Sequence, residues 1–115
     1  MIGDEAMLVG SDASAVVRTA LDLCDMAGVD GDLPPARGAV GYGQAFARGG
    51  DYFGLLVNLV ARAVKTAEPG QLCVTLPVAA ALDGPGFVLG ERQEYRLHGI
   101  DEPVELVPVK RAPGP

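Results

Sequence analysis

Apolar residues recur at helical spacing in two stretches of the chain and in short or alternating runs elsewhere, which predicts a mixture of helices and strands. From Ser11 to Ala27, Val16, Val17, Ala20, Leu21 and Cys24 form one stripe, with Arg18, Asp22 and Asp25 outside it. Ser11 or Asp12 can cap this helix and Gly28 stops it. A second helix is predicted within Gly50 to Lys65. Its Leu56, Val57, Leu59, Val60, Ala63 and Val64 cover most of the circumference, as in a helix packed on more than one side. Asn58, Arg62 and Lys65 fall at i, i+4 and i+7, a single polar stripe.

The remaining elements are short. Ile2 to Val9 has the content of a strand, and Val29 to Pro35 is a loop whose paired prolines exclude a helix. Arg37 to Arg48 alternates small and apolar residues with glycine, which suits two strands joined by a turn around Gly43-Gln44. Gly49 to Gly54 reads as a glycine-rich loop carrying Asp51. Glu68-Pro69-Gly70 ends the second helix, Leu72 to Thr75 is a strand, and Pro77 to Leu82 is a short helix with proline in its first turn. Phe87 to Lys110 divides into three strands at Gly90-Glu91 and Gly99 to Pro103, and Arg111 to Pro115 is a frayed tail. Adjacent strands interrupted by helices predict an α+β sheet with helices on one face rather than a doubly wound parallel sheet.

Composition narrows the function. The chain has 115 residues, 49% of them hydrophobic, enough for one domain with a modest core. A net charge of −6 without a basic cluster argues against nucleic acid or an anionic membrane as partner. No apolar run approaches the length of roughly 20 residues that spans a bilayer. With no stretch resembling a signal peptide either, a soluble cytoplasmic protein is the expectation. Cys24 and Cys73, each among apolar neighbours, read as buried thiols.

The polar stripe has two readings. It is either a solvated face on an amphipathic helix or a binding surface, since an amide and a guanidinium one turn apart beside a glycine-rich loop suit a ligand with phosphates. Spacing leaves both open.

Four segments together carry a resemblance: Ile2-Gly3-Asp4-Glu5-Ala6-Met7-Leu8-Val9, then Asp51-Tyr52-Phe53-Gly54 with Val57-Asn58-Leu59-Val60-Ala61-Arg62, then Ala67-Glu68-Pro69-Gly70-Gln71-Leu72-Cys73-Val74, and finally Tyr95-Arg96-Leu97-His98-Gly99-Ile100-Asp101-Glu102-Pro103-Val104. Their order and separation resemble the C-terminal portion of a class III adenylate/guanylate cyclase catalytic domain. The resemblance implies the ferredoxin-like cyclase fold, spanning residues 1–110 here and truncated at the N-terminus.

It also implies roles. Asn58 and Arg62 match the pair that stabilises the transition state, Asp51 the contact to the purine, and Asp4 one of two aspartates that hold Mg²⁺ or Mn²⁺. An acid at Asp51 points to ATP over GTP. His98 stands where the family commonly has Lys or Arg against the triphosphate, and an imidazole carries less charge at pH 7. The second metal aspartate and the lysine paired with the purine contact have no counterpart in the sequence. Sites in the family lie between two cyclase domains, so a homodimeric or heterodimeric partner is implied. The chain is therefore expected to be part of an adenylate cyclase domain, inactive without the missing segment. The alternative is an inactive cyclase-like dimerisation or regulatory module.

Overall fold

In the computed structural model, residues 11–29, 36–42, 46–48, 51–82 and 86–112 are described. The strand expected over Ile2 to Val9, with Asp4, lies outside them.

Helix α1 spans Ala13–Val29. Asp12 is its cap: the Ser14 and Ala15 amides donate to Oδ1 at 3.0 and 3.4 Å. The helix runs through Gly28 rather than stopping at it, a difference within the ordinary fraying of helix ends. Three strands follow, β1 (Gly38–Val40), β2 (Phe46–Arg48) and β3 (Asp51–Phe53). Next come α2 (Leu55–Ala63), a 3₁₀ turn (Val64–Thr66), β4 (Leu72–Thr75) and α3 (Leu76–Ala81). The chain continues through β5 (Phe87–Leu89), β6 (Gln93–Tyr95) and β7 (Val104–Arg111).

The main sheet is mixed. Its order is β1-β4-β7-β5, with β6 also on β7. β1 runs parallel to β4, with Gly38 opposite Leu72 and Val40 opposite Val74, whereas β4, β5 and β6 are antiparallel to β7. This corrects the hairpin expected over Arg37 to Arg48: its first strand joins β4, and its second, β2, pairs with β3 in a separate ribbon that sets Arg48 opposite Asp51. Alternation identified the strands, but pairing depends on partners remote in sequence. Asp51 correspondingly opens a strand rather than lying in a loop.

The α+β class holds, and the helices divide between the two faces of the sheet instead of sharing one. Val17 and Leu21 of α1 and Val78 of α3 pack with Val40, Leu72, Val74, Val107 and Val109 on one side. Ala63 and Ala67, at and beyond the end of α2, pack with Cys73, Leu97 and Leu106 on the other. Successive residues of a strand point to opposite faces, so this split follows from the β4 sequence itself.

β7 is held on one edge by two collinear strands. The reason is Pro108. It has no N–H to donate, and its carbonyl accepts from the Gly90 amide at 2.8 Å, so its missing donor faces the break between β5 and β6. A side chain at Gly90 would bring its Cβ within 2.7 Å of Pro108 Cγ. At its far end β7 is tied to α1: Arg111 forms ion pairs with Asp22 and, at 3.0 Å, with Asp25, both of which raise its pKa. Arg111, expected to begin the tail, is therefore the last residue of β7. Arg18 adds a contact 5.7 Å from the centre of the Phe87 ring.

Gly90→Ala should therefore destabilise the chain by about 1–3 kcal/mol through overpacking against Pro108. Gly86→Ala, where an added Cβ meets open space, should stay within about 0.5 kcal/mol. Urea midpoints of the two variants check this, and equal midpoints would remove Pro108 as the cause.

Candidate functional site

The site is organised by α2. Gly54 is its N-cap, with φ 126° and ψ −178°, a conformation essentially confined to glycine. The Asn58 amide donates to the Gly54 carbonyl at 3.1 Å and closes the first turn. On the sheet side, Leu56 and Val60 reach over Gly41, just beyond β1, and Ala63 is 1% exposed. Those three residues mark the inward face of the helix.

At about 100° per residue, Asn58 and Arg62 sit about 200° and 240° around the axis from Leu56, so they project off the side away from the sheet. Asn58 is exposed and Arg62 half-buried. Four residues advance the helix by about 6 Å, so the amide and the guanidinium can flank one phosphate-sized anion. Arg62 is also in the last turn, where a cation meets the negative end of the helix dipole favourably. Lys65 falls in the 3₁₀ turn after α2, so the expected three-residue stripe holds only for its first two members.

His98 is presented by a tight turn. The Ile100 amide donates to the Leu97 carbonyl at 3.1 Å, and Gly99 takes φ 81°, which fits the third position of a type II turn. Leu97 is buried with Ala63 and Ala67, and Ile100 packs against the same cluster. His98, exposed at the tip, therefore stands alongside the C-terminal end of the helix that carries Arg62. Asp51, the first residue of β3, lies three residues before the helix cap. The structure thus gathers the backbone of Asp51 near one end of α2 and the His98 turn near the other. Asp4 lies outside the described residues.

A cleft of about 160 Å³ opens on the face covered by the end of α2, lined by Thr66, Glu68, Gln71, Glu91, Gln93 and Tyr95 over Cys73, Leu106 and Pro108. None of Asn58, Arg62 and His98 lines it, so its position is no guide to the chemistry. The Cys73 Sγ donates to Gln71 Oε1 at 3.6 Å, and burial pushes this thiol above its ordinary pKa. Burial also raises that of Cys24, so neither is poised as a nucleophile. Among the described residues no group of three or more His, Cys, Asp or Glu side chains could hold a metal ion. No described helix is long and apolar enough to cross a membrane.

Sequence reasoning missed Gly41 and the β2–β3 ribbon. Both left signals: Ala39 and Gly41 are small residues two apart, marking a strand face that a helix can approach, and two glycines between strands are typical of a two-residue hairpin.

If Gly54 is required for its positive φ, Gly54→Ala should cost about 1–3 kcal/mol and fray the start of α2. Faster amide exchange at Asn58 than in the parent would show it; unchanged exchange and stability would refute it.

No family model matches the chain. It is 38% identical over 114 residues to a pH-sensitive adenylate cyclase of Mycobacterium tuberculosis, covering 96% of this chain and 29% of the relative. It is 34% identical over 108 residues to an adenylate cyclase of Glutamicibacter nicotianae, covering 91% of this chain and 27% of that one. An uncharacterized Mycobacterium tuberculosis protein is 39% identical over 104 residues, covering 90% of this chain and 27% of the relative. The chain thus spans less than a third of the length of these relatives. A solved adenylate cyclase of Trypanosoma brucei in its monomeric state superposes with a TM-score of 0.55 at 17% identity, over 84% of this chain and 53% of that one, a likeness of fold.

Proposed function

We propose, from the premise that this chain belongs to the class III adenylate/guanylate cyclase catalytic-domain family, that it supplies the transition-state side of an adenylate cyclase site completed by a second cyclase domain. The observation that carries this reading is the direction of α2. Its Leu56, Val60 and Ala63 face the sheet while Asn58 and Arg62 point away from it. Donors so directed serve a substrate held beyond this chain's own sheet.

In such a site the ribose 3′-oxygen of ATP attacks the α-phosphorus, the bond to the bridging oxygen breaks, and diphosphate leaves as cyclic AMP forms. Negative charge gathers on the oxygens around the α-phosphorus. The Arg62 guanidinium offers two parallel donors to that charge and the Asn58 amide a third, and both are held on a rigid helix before the reaction begins. We assign Asp51 to the amino group of adenine and His98 to the triphosphate. The described residues do not themselves fit a divalent cation. Mg²⁺ or Mn²⁺ in that site would be held by aspartates of the second cyclase domain and would lower the charge of the triphosphate, while Asp4 would serve the other site of the pair.

The test uses the chain as it is. It is added to the pH-sensitive adenylate cyclase of Mycobacterium tuberculosis in which the residue aligned with Arg62 has been replaced, so that this chain supplies the donor that the relative has lost. Cyclic AMP production should return, and the Arg62→Ala chain should restore it at least about 10²-fold less, as expected for loss of a preorganised donor. Association of the two proteins without restored turnover would favour the inactive regulatory module instead.

Base choice gives a separate check. In the complemented pair, Asp51→Ala should narrow the preference for ATP over GTP, because a carboxylate accepts from adenine's amino group and repels the carbonyl oxygen of guanine. An unchanged preference would withdraw Asp51 from the purine site.

A further inference from the structure

We propose that Gly41 is the seat of α2 and thereby a positioning residue for Asn58 and Arg62, a role whose effect on turnover rests on the shared-site reading above. Gly41 is not required for its backbone angles, since its φ lies outside the left-handed region occupied by Gly54, Gly70 and Gly99. What matters is the missing Cβ. An added Cβ would lie 2.6 Å from Val60 Cγ2 and 2.9 Å from Leu56 Cδ1. Ala39, two residues earlier and on the same face of the strand, packs against the cluster that contains Ala63. The two small residues together make a floor on which the inward face of α2 rests.

The two contacts differ in stiffness. Leu56 Cδ1 is the end of a flexible side chain and can turn aside, whereas β-branched Val60 is nearly fixed at χ1 in a helix. Val60 therefore decides whether a side chain fits at position 41. If it cannot yield, the helix must, by close to 1 Å to reach ordinary contact, and a displacement of about that size costs on the order of 10²-fold in rate when it moves reacting groups. Val60 lies between the two proposed donors, two residues after Asn58 and two before Arg62. A shift at Val60 carries both. Gly38 is different in kind, because its added Cβ would meet Leu72 of the neighbouring strand at 2.9 Å and no helix.

Two measurements test the role, one of them independent of activity. In amide proton–nitrogen spectra of the chain, Gly41→Ala should displace the resonances of residues 55–63 and speed their exchange, and adding Val60→Ala should return both towards the parent. In the complemented cyclase assay, Gly41→Ala should lower kcat by about 10²-fold with a smaller change in KM for ATP, and the double variant should regain most of it. Should Gly41→Ala alone fail to fold, the double variant still decides, because relief of the Val60 contact predicts that it folds with α2 in place. Unchanged α2 resonances in Gly41→Ala, or a double variant no better than the single one, would overturn the seat. Displaced α2 resonances with full turnover would overturn the positioning role. The shared-site reading fails separately, when Arg62→Ala leaves turnover intact.

Discussion

Leu72, Cys73, Val74 and Thr75 are all buried, so β4 needs cover on both faces of the sheet and a hydrogen-bonded neighbour along each edge. α1 and α3 meet the first need on the side of Leu72 and Val74, and the end of α2 meets it on the side of Cys73. β1 and β7 meet the second. A strand enclosed in this way loses hydrophobic contacts and backbone pairing together if any neighbour moves. That common dependence makes the placement of α2 a property of the whole sheet.

The polar groups of interest inherit their direction from this arrangement. Because α2 covers the sheet with its small and aliphatic face, its amide and guanidinium are turned outward. The His98 turn is drawn to the same end of the helix by Leu97 and Ile100, two apolar residues either side of an exposed tip. Hydrophobic burial fixes the positions of polar side chains that themselves make little contact with the core. A rigid scaffold presenting outward-facing donors in this way needs little reorganisation when negative charge is brought to it.

How much of this was legible from sequence depended on whether the signal was local. The stripe of α1, its cap at Ser11 or Asp12, the proline in the first turn of α3 and the strands flanking Gly90 were readable because each rests on residues within a few positions of one another. Pairing was not. β1 finds its neighbour 34 residues later in β4, and nothing within Arg37 to Arg48 encodes that choice over a hairpin. The division of helices between two faces was implicit in the apolar Leu72–Val74 run, since a strand apolar at consecutive positions has two faces to bury. For the candidate site, the spacing of Asn58 and Arg62 gave the stripe but not its direction, which the contact of α2 with Gly41 and the burial of Ala63 reveal. Lys65 left the stripe because the helix tightens into a 3₁₀ turn, a change that periodicity at 100° does not foresee.

β7 is the strand on which β4, β5 and β6 all pair, and it follows all three in the chain. During synthesis its partners emerge first, β4 with β1 alone to pair against and β5 and β6 with no strand at all. Until Val104 to Arg111 leaves the ribosome, β4 has an open edge, and β5, with Val88 and Leu89 each 45% exposed even in the finished fold, has no neighbour in the sheet. Strand edges and apolar side chains left waiting in this way are the species that aggregate. The nascent chain is therefore most open to edge-to-edge association late in its synthesis, before β7 is available.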